Sequence, residues 1–97
     1  MTVTLHPGAR RELEDAAAFY AREGSPALAA RFLSEFERVA RILAANPAAG
    51  APRTGGRRGF PLTGFPYSVI YAPAAEGLYV LVLKHDRRSP THGEARR

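Results

Sequence analysis

The sequence predicts an α+β domain in which a hairpin of two helices packs on a small antiparallel sheet, in the order β-α-α-β-β-β. Three observations carry this reading. A short alternating run opens the chain, two stretches of helical period follow on either side of Gly24-Ser25, and the second half holds three β-type runs bounded by glycine and proline.

Each element has a local reason. Thr2-Val3-Thr4-Leu5 alternates as a strand does and is ended by His6-Pro7-Gly8, where Pro7 suits the first turn of a helix. From Pro7 to Glu23, Leu13, Ala16, Ala17 and Tyr20 fall on one face while Arg10, Arg11, Glu14, Arg22 and Glu23 fall elsewhere. Gly24 stops this helix, as a glycine free to turn left-handed does. Ser25-Pro26 starts the next with a cap residue and a proline in the favoured order. Leu28, Phe32, Phe36, Val39 and Leu43 then form an apolar stripe running to Ala45, and Arg31 with Glu35 and Glu37 with Arg41 stand at i,i+4 spacing. Asn46-Pro47 ends the second helix, and the short Gly24-Ser25 junction requires the two to run antiparallel.

Residues 47–59 read as a flexible glycine- and proline-rich connector. Phe60-Pro61-Leu62, residues 67–72 and residues 78–83 are β-type, the last two joined by residues 73–77 as an antiparallel hairpin. The run 78–83 is apolar throughout, which suits a strand covered on both faces.

With 97 residues and no break in composition, one domain over 1–97 is expected, its last few residues flexible. The absence of cysteine excludes disulfides, thiolate metal sites and a cysteine nucleophile, and favours the cytoplasm. Met1 to His6 lacks the form of an export signal, and no run approaches the roughly 20 apolar residues that span a bilayer. The net charge of +5 is uneven. Six arginines and six acids cancel through Ala45, so the excess belongs to the second half, where Arg53, Arg57, Arg58, Lys84, Arg87, Arg88, Arg96 and Arg97 face only Glu76, Asp86 and Glu94. Such clustering favours an anionic partner. The plainer reading is a solvated basic tail in a chain whose arginines reflect GC-rich coding.

Chemistry concentrates after the most apolar strand, at Lys84-His85-Asp86-Arg87-Arg88-Ser89-Pro90. There His85 has the chemistry of a general base, and Arg87 or Arg88 that of a bidentate phosphate clamp. Arg53, Arg57 and Arg58 would join them if the strand near Gly59 lies beside the last one. The plainer alternative makes His85 a hydrogen-bonded strand terminator and the arginines solvated. His6, His85 and His92 are scattered with no acidic pair, and Gly55-Gly56 lacks a following Lys-Ser/Thr, so neither a metal, a phosphate-loop cofactor nor any other cofactor is indicated.

Phe65-Pro66-Tyr67-x-x-x-Tyr71, a following apolar strand and His85-x-x-Arg88-x-Pro90, ending near Arg96, resemble the C-terminal pattern of the RelE/ParE toxins. Upstream, Ala9-x-x-x-Leu13, Phe19-Tyr20, the stripe from Phe32 to Leu43 and Pro47-x-x-Gly50 fit the same family, so the likeness covers nearly the whole chain. The resemblance implies a helical hairpin on an antiparallel sheet, and a toxin neutralised by a cognate antitoxin, expected to be acidic, in a hetero-oligomeric complex away from membranes. It leaves two branches. A ParE-like toxin poisons DNA gyrase through a protein contact and arrests growth. A RelE-like one cuts mRNA on the ribosome, for which Arg57, Arg58, His85, Arg88 and His92 would form the catalytic set. One lysine in total and no tyrosine after Tyr79 place the chain nearer the ParE-like branch, a binding protein rather than an enzyme. Arg53, Arg57, Arg58, Lys84, Arg87 and Arg88 are then the expected contacts to target or antitoxin, and a basic nucleic-acid module is the third reading.

Overall fold

The computed structural model describes residues 2–97. Its elements are β1 (Thr2–Leu5), α1 (Pro7–Glu23), α2 (Pro26–Ala45), β2 (Ala51–Pro52), β3 (Arg58–Pro61), β4 (Tyr67–Ala74) and β5 (Gly77–His85). The strands form one sheet in the order β1-β5-β4-β3-β2, with both helices packed on one face.

Both helices begin at the expected proline, and each is capped, the second by the expected Ser25 and the first by His6, which the sequence did not single out. His6 Nδ1 accepts from Gly8 N at 2.9 Å, and Ser25 Oγ accepts from Leu28 N at 3.0 Å, each satisfying an amide that the first helical turn leaves free. Gly24 ends α1 for a different reason from the one expected. Its φ is −119°, outside the left-handed region, but an added Cβ would lie 2.9 Å from the Tyr20 carbonyl and 2.6 Å from Leu28. Close approach of backbone and side chain, not handedness, selects glycine there. Likewise Glu35 pairs with Arg38 at 2.7 Å and accepts from Thr63 N, rather than bonding to Arg31, and no Glu37–Arg41 pair forms among the described residues.

The sheet departs from the simple antiparallel expectation at both edges. β1 runs parallel to β5, Thr2 to Leu5 facing Gly77 to Val80, a pairing that the helical hairpin makes possible by serving as the crossover. The connector carries a short strand as well, because Ala51 and Pro52 pair with Gly59 and Arg58, so the sheet has five strands and β3 starts at Arg58 rather than Phe60. The β4–β5 hairpin turns over Ala75-Glu76, tighter than the expected 73–77 loop.

The continuous apolar run of β5 follows from a bulge. Tyr71 pairs with Val80 and Ile70 with Val82, which leaves Leu81 as an extra residue on β5. Leu78, Val80 and Leu83 therefore face the helices with Val69 and Tyr71, while Leu81 and Val82 join Ile70 on the opposite face. Phe32, Val39 and Leu43 from α2 are fully buried in the helix-side core. Phe65 and Tyr67 complete it by edge contacts to Phe32, and Tyr71 seals the far end. The Tyr71 hydroxyl donates to Pro47 O at 2.6 Å and accepts from Gly50 N at 2.9 Å, so a buried phenol fixes the start of the connector.

After β5 the chain makes successive turns and folds back along the second face of the sheet. Gly93, at φ 80°, sits so close to Val82 that an added Cβ would come within 2.4 Å of a methyl. No helix among the described residues is long and apolar enough to cross a membrane.

Candidate functional site

The end of β5 holds the residues singled out by the sequence, and register decides which way each points. Tyr67 faces His85 across the β4–β5 ladder, and their rings meet edge-on at 5.0 Å. Lys84 pairs with Ser68 and takes the opposite face. Beyond the strand, Asp86 N donates to Pro66 O at 2.9 Å and Arg88 N to His85 O at 2.9 Å, closing a turn that carries Arg87 and Arg88. Arg87 N donates to His85 Nδ1 at 3.1 Å, which makes Nδ1 the acceptor and leaves Nε2 to carry the ring proton when the imidazole is neutral.

Beside this turn lies a cleft of about 210 Å³ between α1 and the strand ends, lined by Phe19, Tyr67, Leu83, His85 and Arg88. Phe19, 49% exposed, stands at the mouth of this cleft. Burial pushes the Tyr67 phenol above its ordinary value of 10.0, with Arg88 pulling the other way, so at neutral pH it is an uncharged donor.

Not all the expected residues meet here. Arg58 faces Tyr71 on the helix side and donates to Gly50 O at 2.7 Å, turned toward the connector. Arg57, one residue earlier, lies on the other face and donates to Gly93 O at 2.9 Å, Glu94 O at 3.0 Å and Arg96 O. The two arginines thus diverge by the ordinary alternation of a strand. Arg53 reaches Pro90 O at 3.3 Å. His92 lines the cleft, but its Nε2 is bonded to Glu12 at 2.5 Å.

Glu12 is the residue that the sequence reading overlooked. Its carboxylate meets His92, receives both Arg96 Nη1 at 2.8 Å and Nη2 at 3.0 Å, and accepts from Leu83 N at 3.1 Å. Burial raises its pKa, but the bonds from Arg96, His92 and Leu83 outweigh that and hold it below 4.5. The reason for the cluster is an edge. β1 stops opposite Val80, so β5 continues with an open side on which Arg96 Nη1 satisfies Leu81 O at 3.0 Å and Glu12 satisfies Leu83 N. The sequence carried no signal for it, because the open edge exists only once β1 pairs with β5.

By elimination, Lys84, Arg87 and Arg88 are the cations at the strand end with no carboxylate within 4 Å among the described residues. Among the described residues Lys84 Nζ reaches only His85 O at 3.3 Å, and the guanidinium groups of Arg87 and Arg88 make no hydrogen bond. This is a corner of net positive charge, with Asp86 in the same turn and Asp15 on the adjoining half-apolar cleft. Among the described residues no group of His, Asp and Glu is placed to hold a metal ion.

Comparison with known proteins agrees with this architecture. The sequence matches the family described as ParE toxin of type II toxin-antitoxin system, parDE, over residues 3–90. Among solved structures, the chromosomal ParDE TA system from P. aeruginosa superposes with a TM-score of 0.75 at 20% identity, covering 88% of this chain and 95% of that one. No curated protein matches the sequence. The family match spans β1 through the turn after β5, taking in every element of the sheet and both helices, and the chain belongs to the ParE toxins of type II toxin-antitoxin systems.

Proposed function

We propose that this toxin arrests growth by binding DNA gyrase, without hydrolytic chemistry of its own, and that an acidic cognate antitoxin neutralises it by covering the same surface. The observation that carries this reading is the division of the cations. Lys84, Arg87 and Arg88 project from the end of β5 with no carboxylate within 4 Å among the described residues, while Arg57, Arg58 and His92 are engaged inside the molecule.

A cationic corner beside an exposed aromatic has the composition of a protein-contact surface: arginine and aromatic anchors supply most of the affinity at an interface, and charge sets partner and rate. The same surface suits an acidic antitoxin segment that also buries Phe19. A ribonuclease in the RelE manner needs a base, an acid and cations converging on one phosphate. Here Arg57 and Arg58 lie on opposite faces of the sheet and His92 is bonded to Glu12, which supports contact over cleavage.

Purified toxin should inhibit gyrase supercoiling or trap cleaved DNA, and added antitoxin should reverse it. A protein that leaves gyrase untouched yet produces mRNA cuts in a translating extract would return the function to the RelE-like branch.

A further inference from the structure

We infer that Glu12 and Arg57 are paired positioning residues, which clamp the C-terminal tail from the two sides of the sheet and thereby fix the direction of Arg87 and Arg88. What the cluster touches rests on the function proposed above; the clamp itself does not.

The turn bearing Arg87 and Arg88 is tied at its near end. Asp86 N bonds Pro66 O, Arg87 N bonds His85 Nδ1, and Arg88 N bonds His85 O. Its far end has little slack, because His92 N donates to Ser89 O at 2.9 Å and Ser89 Oγ meets Thr91 Oγ1 at 2.8 Å. Whatever holds His92 and the residues after it therefore sets the turn. On the helix side that is Glu12, through His92 and both nitrogens of Arg96. On the opposite side it is Arg57, through the carbonyls of Gly93, Glu94 and Arg96.

The seat is shaped for this contact. Gly8, one turn before Glu12 on α1, faces Arg96 so closely that an added Cβ would stand 2.6 Å from its Cζ. The charged and titratable groups facing Glu12 are Arg96 and His92 from the tail, with Asp15 and Arg88 also on the adjoining cleft. Without the clamp, residues 89–97 would keep only the bonds from Arg53 to Pro90 O at 3.3 Å, from Arg96 to Leu81 O at 3.0 Å and from Tyr79 to Arg97 O at 3.4 Å, and a partner would have to order more of the tail on binding. That ordering is lost affinity. Arg57 acts on a partner only through the tail, which replaces the catalytic and direct-contact roles its sequence position suggested.

The test compares Glu12→Gln, Arg57→Ala, their double variant and Arg87→Ala/Arg88→Ala, each checked for a native circular dichroism spectrum at assay temperature. Two readouts are taken: amide exchange over residues 86–97 in the free toxin, and the concentration that half-inhibits gyrase. Exchange over 86–91 should quicken in the clamp variants, and inhibition should weaken by about tenfold each, the scale of a lost preorganisation. Combined with Arg87→Ala/Arg88→Ala, the clamp substitutions should cost nothing further. Full inhibition despite quickened exchange, or losses that simply add, would overturn the inference. Were wild-type toxin inert toward gyrase, the proposed function would fall on its own, and unchanged exchange at 86–91 in the double variant would still overturn the clamp.

Discussion

Two groups of arginines lie within a few residues of the same sheet and do opposite things. Arg57, Arg58 and Arg96 are each bonded to backbone carbonyls or to Glu12, where they satisfy a connector, a tail and an open strand edge. The guanidinium groups of Arg87 and Arg88, at the exit of β5, bond to nothing among the described residues. Composition counts all five alike. The difference teaches that a cation becomes available to a partner only where the fold leaves no acceptor for it, and in a small domain with irregular connectors many acceptors need a donor.

Substitutions break this contrast in a definite order. Glu12→Ala should have the largest effect, because it strands Arg96 and leaves Leu83 N without its acceptor. A loss of about 3 kcal/mol is expected. For a domain of this size that lowers the melting midpoint by more than about 10 °C in a thermal scan. Arg87→Ala/Arg88→Ala should do the reverse, holding stability within about 0.5 kcal/mol while weakening partner binding roughly 30-fold, the scale of an arginine hot spot, by titration calorimetry. Arg58→Ala falls between, with about 1–2 kcal/mol lost in a denaturant titration because Gly50 O loses a charged donor, and with binding unchanged.

Acid sharpens the same contrast. Glu12 is held below its ordinary 4.5 in the folded protein, so its contribution is fully present above that value and is lost as pH falls through the lower folded value. Glu35 is shifted in the same direction by Arg38 and Thr63, and with its side chain only 12% exposed it adds to the same acid-side loss. Stability measured from pH 6 down to pH 2 should fall in wild type and in the Arg87→Ala/Arg88→Ala protein alike. In Glu12→Gln, less stable throughout, the decline should be shallower.

Much of this was legible in residues 2–97. Helix starts at Pro7 and Pro26 are written in local chemistry, as is the stripe from Phe32 to Leu43, and all appear as read. The motif Phe65-Pro66-Tyr67 with Tyr71 and Pro47-x-x-Gly50 turns out to be a set of contacts: two aromatics against Phe32, and a phenol tying Pro47 to Gly50. What stayed hidden depended on partners far apart in sequence. The parallel pairing of β1 with β5 needs the hairpin as a crossover, and nothing near Thr2 announces Gly77. The bulge at Leu81 hides inside a uniformly apolar run, where period two cannot be seen to slip. Glu12 and Arg96 read as ordinary surface charges on a helix and a tail, since only the open edge of β5 gives them a reason to meet.

The most direct measurement is an amide-exchange footprint of the toxin alone and bound to gyrase. Contact through the β5 exit places new protection on residues 84–88 and on the α1 turn around Phe19, with the outer face of α2 unchanged. Protection confined to α2, with residues 84–88 exchanging as fast as in the free protein, would contradict it.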